Sequence, residues 1–287
     1  MDVIRFWTTE FDIDGIRLDS ADCLDFYFME EMRRRTSEWK EDFWLMGEVI
    51  HGDYSRYIQD GQKMLHSVTN YELHKGLYSG HNDHNYFEIA HTIRRQFDQN
   101  GGIYRGMRLY SFVDNHDVDR LASKLNIWEH SFSVYALLYL LPGIPSVYYG
   151  SEWGIEGVKV GPNDDGMRPA VNLEETLADN PHPDLMEWIR RLGQIHGKYP
   201  ACVYGEYREL LLTNRQYVFA RILGDQAVVA AVNNDENPAS VTFALPVGGK
   251  EYLDEVSGEK YSDDQGLVTI ELKKYGCAVL CTPAQEV

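Results

Sequence analysis

Three carboxylates stand where apolar runs of strand length end. Asp14-Gly15-Ile16-Arg17-Leu18-Asp19 closes on Asp19, Leu45-Met46-Gly47-Glu48 on Glu48, and Phe112-Val113-Asp114-Asn115-His116-Asp117 on Asp117. In a parallel α/β sheet or barrel the carboxyl ends of the strands converge on the ligand, so acids in this register point into one cleft. One such acid alone reads as a helix cap or an ion-pair partner, whereas three in the same register read as chemistry. The reaction that a carboxylate pair performs without a cofactor is glycosidic bond cleavage. One acid attacks or stabilises the anomeric carbon while the other, held protonated, donates to the leaving oxygen. Arg17 lies two residues before Asp19, so on a strand both side chains leave the same face. A guanidinium there holds Asp19 ionised, as a nucleophile must be. Glu48 follows an apolar strand and Gly47, where partial desolvation favours the protonated form that an acid catalyst needs.

The elements that must position these residues follow from the pattern. Short runs that are apolar on both parities predict strands at Ile13–Leu18, Phe43–Val49, His66–Leu73, Leu109–Val113 and Ile144–Tyr149. Helical patterns alternate with them near Leu24–Trp39, Tyr86–Gln99, Trp128–Leu141 and Pro183–His196. That alternation predicts an α/β region with parallel strands over residues 1–198. From about Tyr199 the texture changes to alternating runs such as Tyr217–Ile222, Ala227–Val232, Ser240–Phe243 and Val268–Leu272, broken by Gly224-Asp225 and Gly248-Gly249. This predicts an all-β antiparallel domain over 199–287, packed directly on the first.

Composition narrows the partners. The 287 residues carry a formal charge of −18, which repels a phosphate backbone or an anionic lipid surface, so neither nucleic acid nor membrane is expected. The N-terminus lacks the basic stretch, apolar core and small-residue cleavage site of an export signal. Cys23, Cys202, Cys277 and Cys281 lack Cys-x-x-Cys spacing and read as buried thiols, which fits a reducing, cytoplasmic location. His74, His81 and His84, with Asp83, are irregularly spaced in what reads as a loop and predict no metal site. No strand opens into a Gly-rich phosphate-binding fingerprint, which argues against a dinucleotide or nucleoside triphosphate enzyme.

The segments Gly15-Ile16-Arg17-Leu18-Asp19, Gly47-Glu48-Val49 and Phe112-Val113-Asp114-Asn115-His116-Asp117 closely resemble three signature segments of the α-amylase family of glycoside hydrolases, in the family's order and roughly its spacing. Gly143-Ile144-Pro145-Ser146-Val147-Tyr148-Tyr149-Gly150 resembles the family's last barrel strand and its exit. The resemblance implies a partial (β/α)8 TIM barrel, about strands 4 to 8, followed by an antiparallel β-sandwich. It implies Asp19 as nucleophile, Glu48 as general acid/base and Asp117 as the third carboxylate, with Arg17 orienting Asp19 and His116 binding the sugar. Maltodextrin-, cyclodextrin- and pullulan-acting members look most similar, so the expected partner is an α-glucan oligosaccharide or polysaccharide. His51 is a candidate for an acceptor subsite, and Tyr71, Trp153 and Tyr54 are candidates for stacking on sugar faces.

The departures carry expectations of their own. The segment ending in Asp19 resembles the fourth of the family's eight strands, so the first three have no counterpart here. Ser20-Ala21-Asp22-Cys23 does not match the Lys-His pattern of calcium-dependent members, so no cofactor and no calcium are expected. A five-stranded barrel portion leaves two open edges, for which pairing of copies or completion by the absent N-terminal barrel segment is expected. A 4-α-glucanotransferase using the same site, and a non-catalytic fragment or glucan-binding subunit, are the alternatives to a hydrolase.

Overall fold

The computed structural model describes residues 1–59, 63–262 and 266–283. The first region runs α1 (Asp2–Phe11), β1 (Gly15–Leu18), α2 (Phe26–Trp39), β2 (Trp44–Gly47), β3 (Ser67–Val68), α3 (Tyr71–Asn82), α4 (Tyr86–Phe97), β4 (Tyr110–Phe112), α5 (His130–Leu140), β5 (Ile144–Ser146), α6 (Pro183–Lys198) and α7 (Pro200–Tyr204), with short helical turns between. β1, β2 and β3 pair in parallel in that order, and β4 pairs in parallel with β5. A parallel bridge from Thr69 to Tyr110 joins the two groups into one curved sheet, with β1 and β5 at its edges. Both edge strands are half-buried, whereas Leu45, Met46 and Val68 on the inner strands are buried.

Local chemistry explains the helices. Asp25 accepts a hydrogen bond from Phe28 N at 3.1 Å and so caps α2, which buries Met29, Met32 and Thr36 along one face. The expected strand His66–Leu73 divides. Only Ser67–Val68 is strand, and Asn70 Oδ1 accepts from Leu73 N at 3.2 Å to start α3. His74 and His81 therefore lie on a helix instead of in a loop. They face inward with Leu73 and Leu77, a stripe hidden in the sequence because histidine reads as polar. At Gly80 a Cβ would stand 3.1 Å from Ile89 Cγ1, so glycine lets α3 and α4 approach. Helix α1, for which the sequence pattern gave no expectation, buries Thr8 alone and leaves Val3, Phe6, Trp7 and Phe11 exposed.

The second region is antiparallel. β6 (Glu206–Leu212), β7 (Gln216–Leu223), β8 (Gln226–Asn233), β9 (Ala239–Phe243), β10 (Glu251–Asp254), β11 (Lys260–Ser262), β12 (Val268–Leu272) and β13 (Cys277–Cys281) form a six-stranded sheet in the order β11-β10-β13-β8-β7-β6 and a two-stranded sheet, β12-β9. The two faces of β7 and β8 pack in opposite directions, with period 2. Tyr217, Phe219, Val228, Ala230 and Val232 join the core of the α/β region, while Val218, Ala220, Val229 and Ala231 pack with Val241, Phe243 and Ile270 of the small sheet. Burial on both faces is why these strands are apolar on both parities.

Candidate active site

β1 and β2 run in register, Leu18 opposite Gly47, so Asp19 and Glu48 leave the same end of the sheet. Glu48 N donates to Leu18 O at 2.8 Å, and Ala21 N donates to Glu48 O at 2.8 Å, fixing the backbone on both sides of the acid. Gly47 is required here, because a Cβ would collide with Leu65 and stand 2.8 Å from Ala21 Cβ. Arg17 bridges the pair. Its Nη1 bonds Asp19 Oδ1, and its Nη2 lies 3.1 Å from Glu48 Oε2. The Asp19 side chain is 75% exposed and that of Glu48 only 7%, so the two carboxylates share one guanidinium in different surroundings.

Further donors fill the Glu48 carboxylate. Ser20 N reaches Oε2 at 3.2 Å, and the Tyr71 hydroxyl reaches Oε1 at 3.2 Å. Burial pushes the Tyr71 phenol up to about 12, so at neutral pH it remains a donor. Asn115 Nδ2 donates to Tyr71 Oη at 3.4 Å, and its Oδ1 accepts from the backbone of Asp117 and Val118 at 2.8 and 3.1 Å. The turn after β4 is thereby tied to the acid on β2. Asp117 is held from two sides, by His116 Nε2 at 2.9 Å and by Arg168 Nη2 at 3.1 Å.

Asp19, Glu48, Tyr71, His116 and Asp117 line one open cavity of about 700 Å³. Lys159 and Arg168 line it too, two cations that sequence reasoning did not single out. They arrive on a long connection beyond β5, held in place by Arg120. That fully buried guanidinium donates from Nε to Met167 O at 3.0 Å and from Nη1 to Tyr149 O at 2.7 Å, and lies 4.1 Å from the centre of the Tyr148 ring. Asp114, in the same signature segment as Asp117, points away. It accepts from Leu121 N at 2.9 Å and from Ser151 Oγ at 2.8 Å, and burial pushes its carboxyl up. The segment Asn163-Asp164-Asp165-Gly166-Met167-Arg168 offered a charge cluster as its only signal.

The remaining candidates separate. Tyr71 is at the site, but as a hydrogen-bond partner of Glu48, with its ring packed edge-on against Phe112. His51 is exposed and Trp153 half-buried, and neither lines the cavity. Tyr54 is a correction: it is fully buried and stacked on Tyr104 at 5.2 Å, out of reach of any sugar. Among the described residues no group of three His, Cys, Asp or Glu side chains is placed to hold a metal ion.

The described strands make part of a βα barrel with a carboxylate-lined cleft at their carboxyl ends, followed by an antiparallel β domain, an architecture shared by many enzymes. The model of the α-amylase catalytic domain matches residues 1–191 and that of the maltogenic amylase C-terminal domain residues 207–279. The chain belongs to the α-amylase family of glycoside hydrolases. It is 28% identical to neopullulanase 2 of Thermoactinomyces vulgaris over 97% of this chain and 47% of that one. It is 25% identical to the cyclomaltodextrinase of Geobacillus thermopakistaniensis over 96% of this chain and 46% of that one. The structure of the Geobacillus thermoleovorans α-amylase complexed with acarbose superposes with a TM-score of 0.82 at 23% identity, covering 99% of this chain and 63% of that one. The chain spans about half the length of the curated relatives it matches.

Proposed function

We propose that this chain carries the catalytic side chains of a retaining hydrolase of α-glucosidic bonds in starch-type glucans or maltodextrins. The observation that carries the reading is the single Arg17 guanidinium bridging Asp19 and Glu48 in a cavity that Asp117 and His116 also line. Glu48 delivers its proton to the glycosidic oxygen as that bond breaks, while an Asp19 oxygen forms the bond to the anomeric carbon. Water then loses a proton to Glu48, and its oxygen displaces Asp19, so configuration is retained over the two inversions. Asp117, pinned by His116 and Arg168, offers its free lone pairs to sugar hydroxyls. The names of the relatives support the substrate class, and none of these steps requires a cofactor.

The test is incubation of the purified chain with maltoheptaose, with products separated by chromatography and Glu48→Gln run in parallel. Shorter maltodextrins from the wild type, reduced by about 10²- to 10⁴-fold in the variant, are the expected result. Products longer than the substrate would show a sugar hydroxyl replacing water in the second step. Equal turnover in wild type and Glu48→Gln would overturn the assignment.

A further inference from the structure

At the opposite end of the barrel, away from the carboxylate cleft, lies a second cavity of about 350 Å³. It sits between the loop entering β4, the Pro142-Gly143 turn entering β5, and the start of the β domain. Three arginines line it: Arg105 and Arg108 from the loop, both exposed, and Arg221 from β7, only 3% exposed. Among the described residues none of the three has a carboxylate within ion-pair distance. In a chain of formal charge −18 that is a local reversal of sign.

Arg221 makes the case specific. Its Nε and Nη2 donate to Gly205 O at 3.2 and 2.9 Å, and its Nη1 to Leu140 O at 3.3 Å. A guanidinium carries five N–H donors, so these bonds use three. Burial lowers its pKa only to about 10, which leaves it cationic at neutral pH. Two titratable groups act on it, Cys202, a thiol that burial pushes up to about 12, and His196, an imidazole whose pKa burial lowers; both are neutral at pH 7 and neither is a counter-ion. A buried cation without a partner charge is costly, and an anion entering the cavity offsets that cost. Arg108 is held by its face, 4.8 Å from the centre of the Tyr204 ring, which leaves its edge N–H groups free to point elsewhere.

We infer that this basal cavity is a binding site for a small phosphate dianion, free or carried as a monoester. The charge count selects a dianion, since Arg105, Arg108 and Arg221 face only Glu206 as an opposing charge on the cavity wall. The volume falls within the roughly 300–1,000 Å³ of small-molecule sites, which suits a phosphate carried on a small polar body. Forked guanidinium donors match phosphate oxygens bidentately. The site is independent of the glucan reading and stands or falls without it.

The experiment is calorimetric titration of the intact chain with inorganic phosphate, a hexose phosphate and the unphosphorylated hexose. The expected result is saturable binding of both phosphates that weakens with added salt, and none of the neutral sugar. Tighter binding of the hexose phosphate than of inorganic phosphate would assign the ligand as a phosphorylated small molecule, and equal affinity would assign free phosphate. The double variant Arg105→Gln/Arg108→Gln, on exposed side chains that leave the core untouched, should weaken binding by about tenfold or more. Glu206→Gln, which removes the opposing charge, should tighten it. Absence of saturable heat with either phosphate, or affinity unchanged in the double variant, overturns the site.

Discussion

Acidification should destabilise this protein well above the carboxylate range, through histidines buried without charge. His74, His81 and His130 are all nearly or fully buried, and desolvation lowers their pKa values to about 4, about 3 and about 4. Lys124 beside His74, and the mutual proximity of His81, His84 and His130, push the same way. The unfolded chain takes up these protons near pH 6.5, the folded chain only near 4 or below, so stability is complete above 6.5 and is lost as pH falls through that window. From about pH 7 to about pH 5 each group removes at most about 2 kcal/mol, and allowing half of that for water entry leaves a combined loss of about 3 kcal/mol. That is a large share of the 5–15 kcal/mol by which domains are stable. Asp114, whose carboxyl burial pushes up, works in the opposite sense and trims the loss. Glu31, held down to about 2 by Arg34 and Arg35, titrates below the window. Urea midpoints followed by tryptophan fluorescence should therefore fall by about 1 M between the two pH values. His130→Phe keeps a ring against Tyr275 and His81 and should remove part of the loss, the rest staying with His74, His81 and the likewise lowered His66 and His196. Equal midpoints at both pH values, or a pH-dependence untouched by His130→Phe, would refute the reasoning.

Other outcomes follow from single contacts. Gly47→Ala forces a methyl group against Leu65 and Ala21 and should lower stability by about 1–3 kcal/mol, read as a shifted urea midpoint. Cys23 is exposed, against the expectation of a buried thiol, so a thiol reagent should label it first, while buried Cys202 and Cys281 react only on unfolding; fast labelling of all four would contradict the packing of β13 and α7. Tyr71→Phe deletes the phenolic bond to Glu48 but keeps the ring against Phe112. Where maltoheptaose is cleaved, it should lower kcat by about 5- to 10-fold with little change in KM, and an unchanged kcat would place the hydroxyl outside the chemistry.

What the sequence made legible was local. Asp19 and Glu48 could be read from their strands because strand-end register is written in a few consecutive residues, and the parallel pairing of Leu18 with Gly47 then brings the two together. The β domain was legible for the same reason, its period-2 runs being bounded by turn residues. Helix α3 was not, because its inward face uses histidines. Burial keeps His81 neutral there while its ring nitrogens are satisfied by Leu77 O at 2.6 Å and Ser133 Oγ at 2.9 Å, a solution invisible to a polar/apolar pattern. Tyr54 shows the converse: residue type alone does not say which face an aromatic ring occupies, and packing against Tyr104 decided it.

Arg168 marks where legibility ends and why. Its contact with Asp117 spans 51 residues, through a connection with little regular structure of its own. What fixes it is Arg120, a cation with no local reason to be buried, which gathers the carbonyls of Tyr149 and Met167 and the hydroxyl of Ser151 around one guanidinium. Ser151 in turn donates to Asp114, so the signature segment that delivers Asp117 to the cleft also anchors, through its other aspartate, the loop that brings Arg168 back to it. The two aspartates three residues apart thus serve one site by different routes, one facing the cleft and one building its wall. Replacing Asp114 by Asn should loosen Arg168 without touching Asp117 directly. Where maltoheptaose is cleaved, that difference is measurable as a rise in KM that exceeds the fall in kcat.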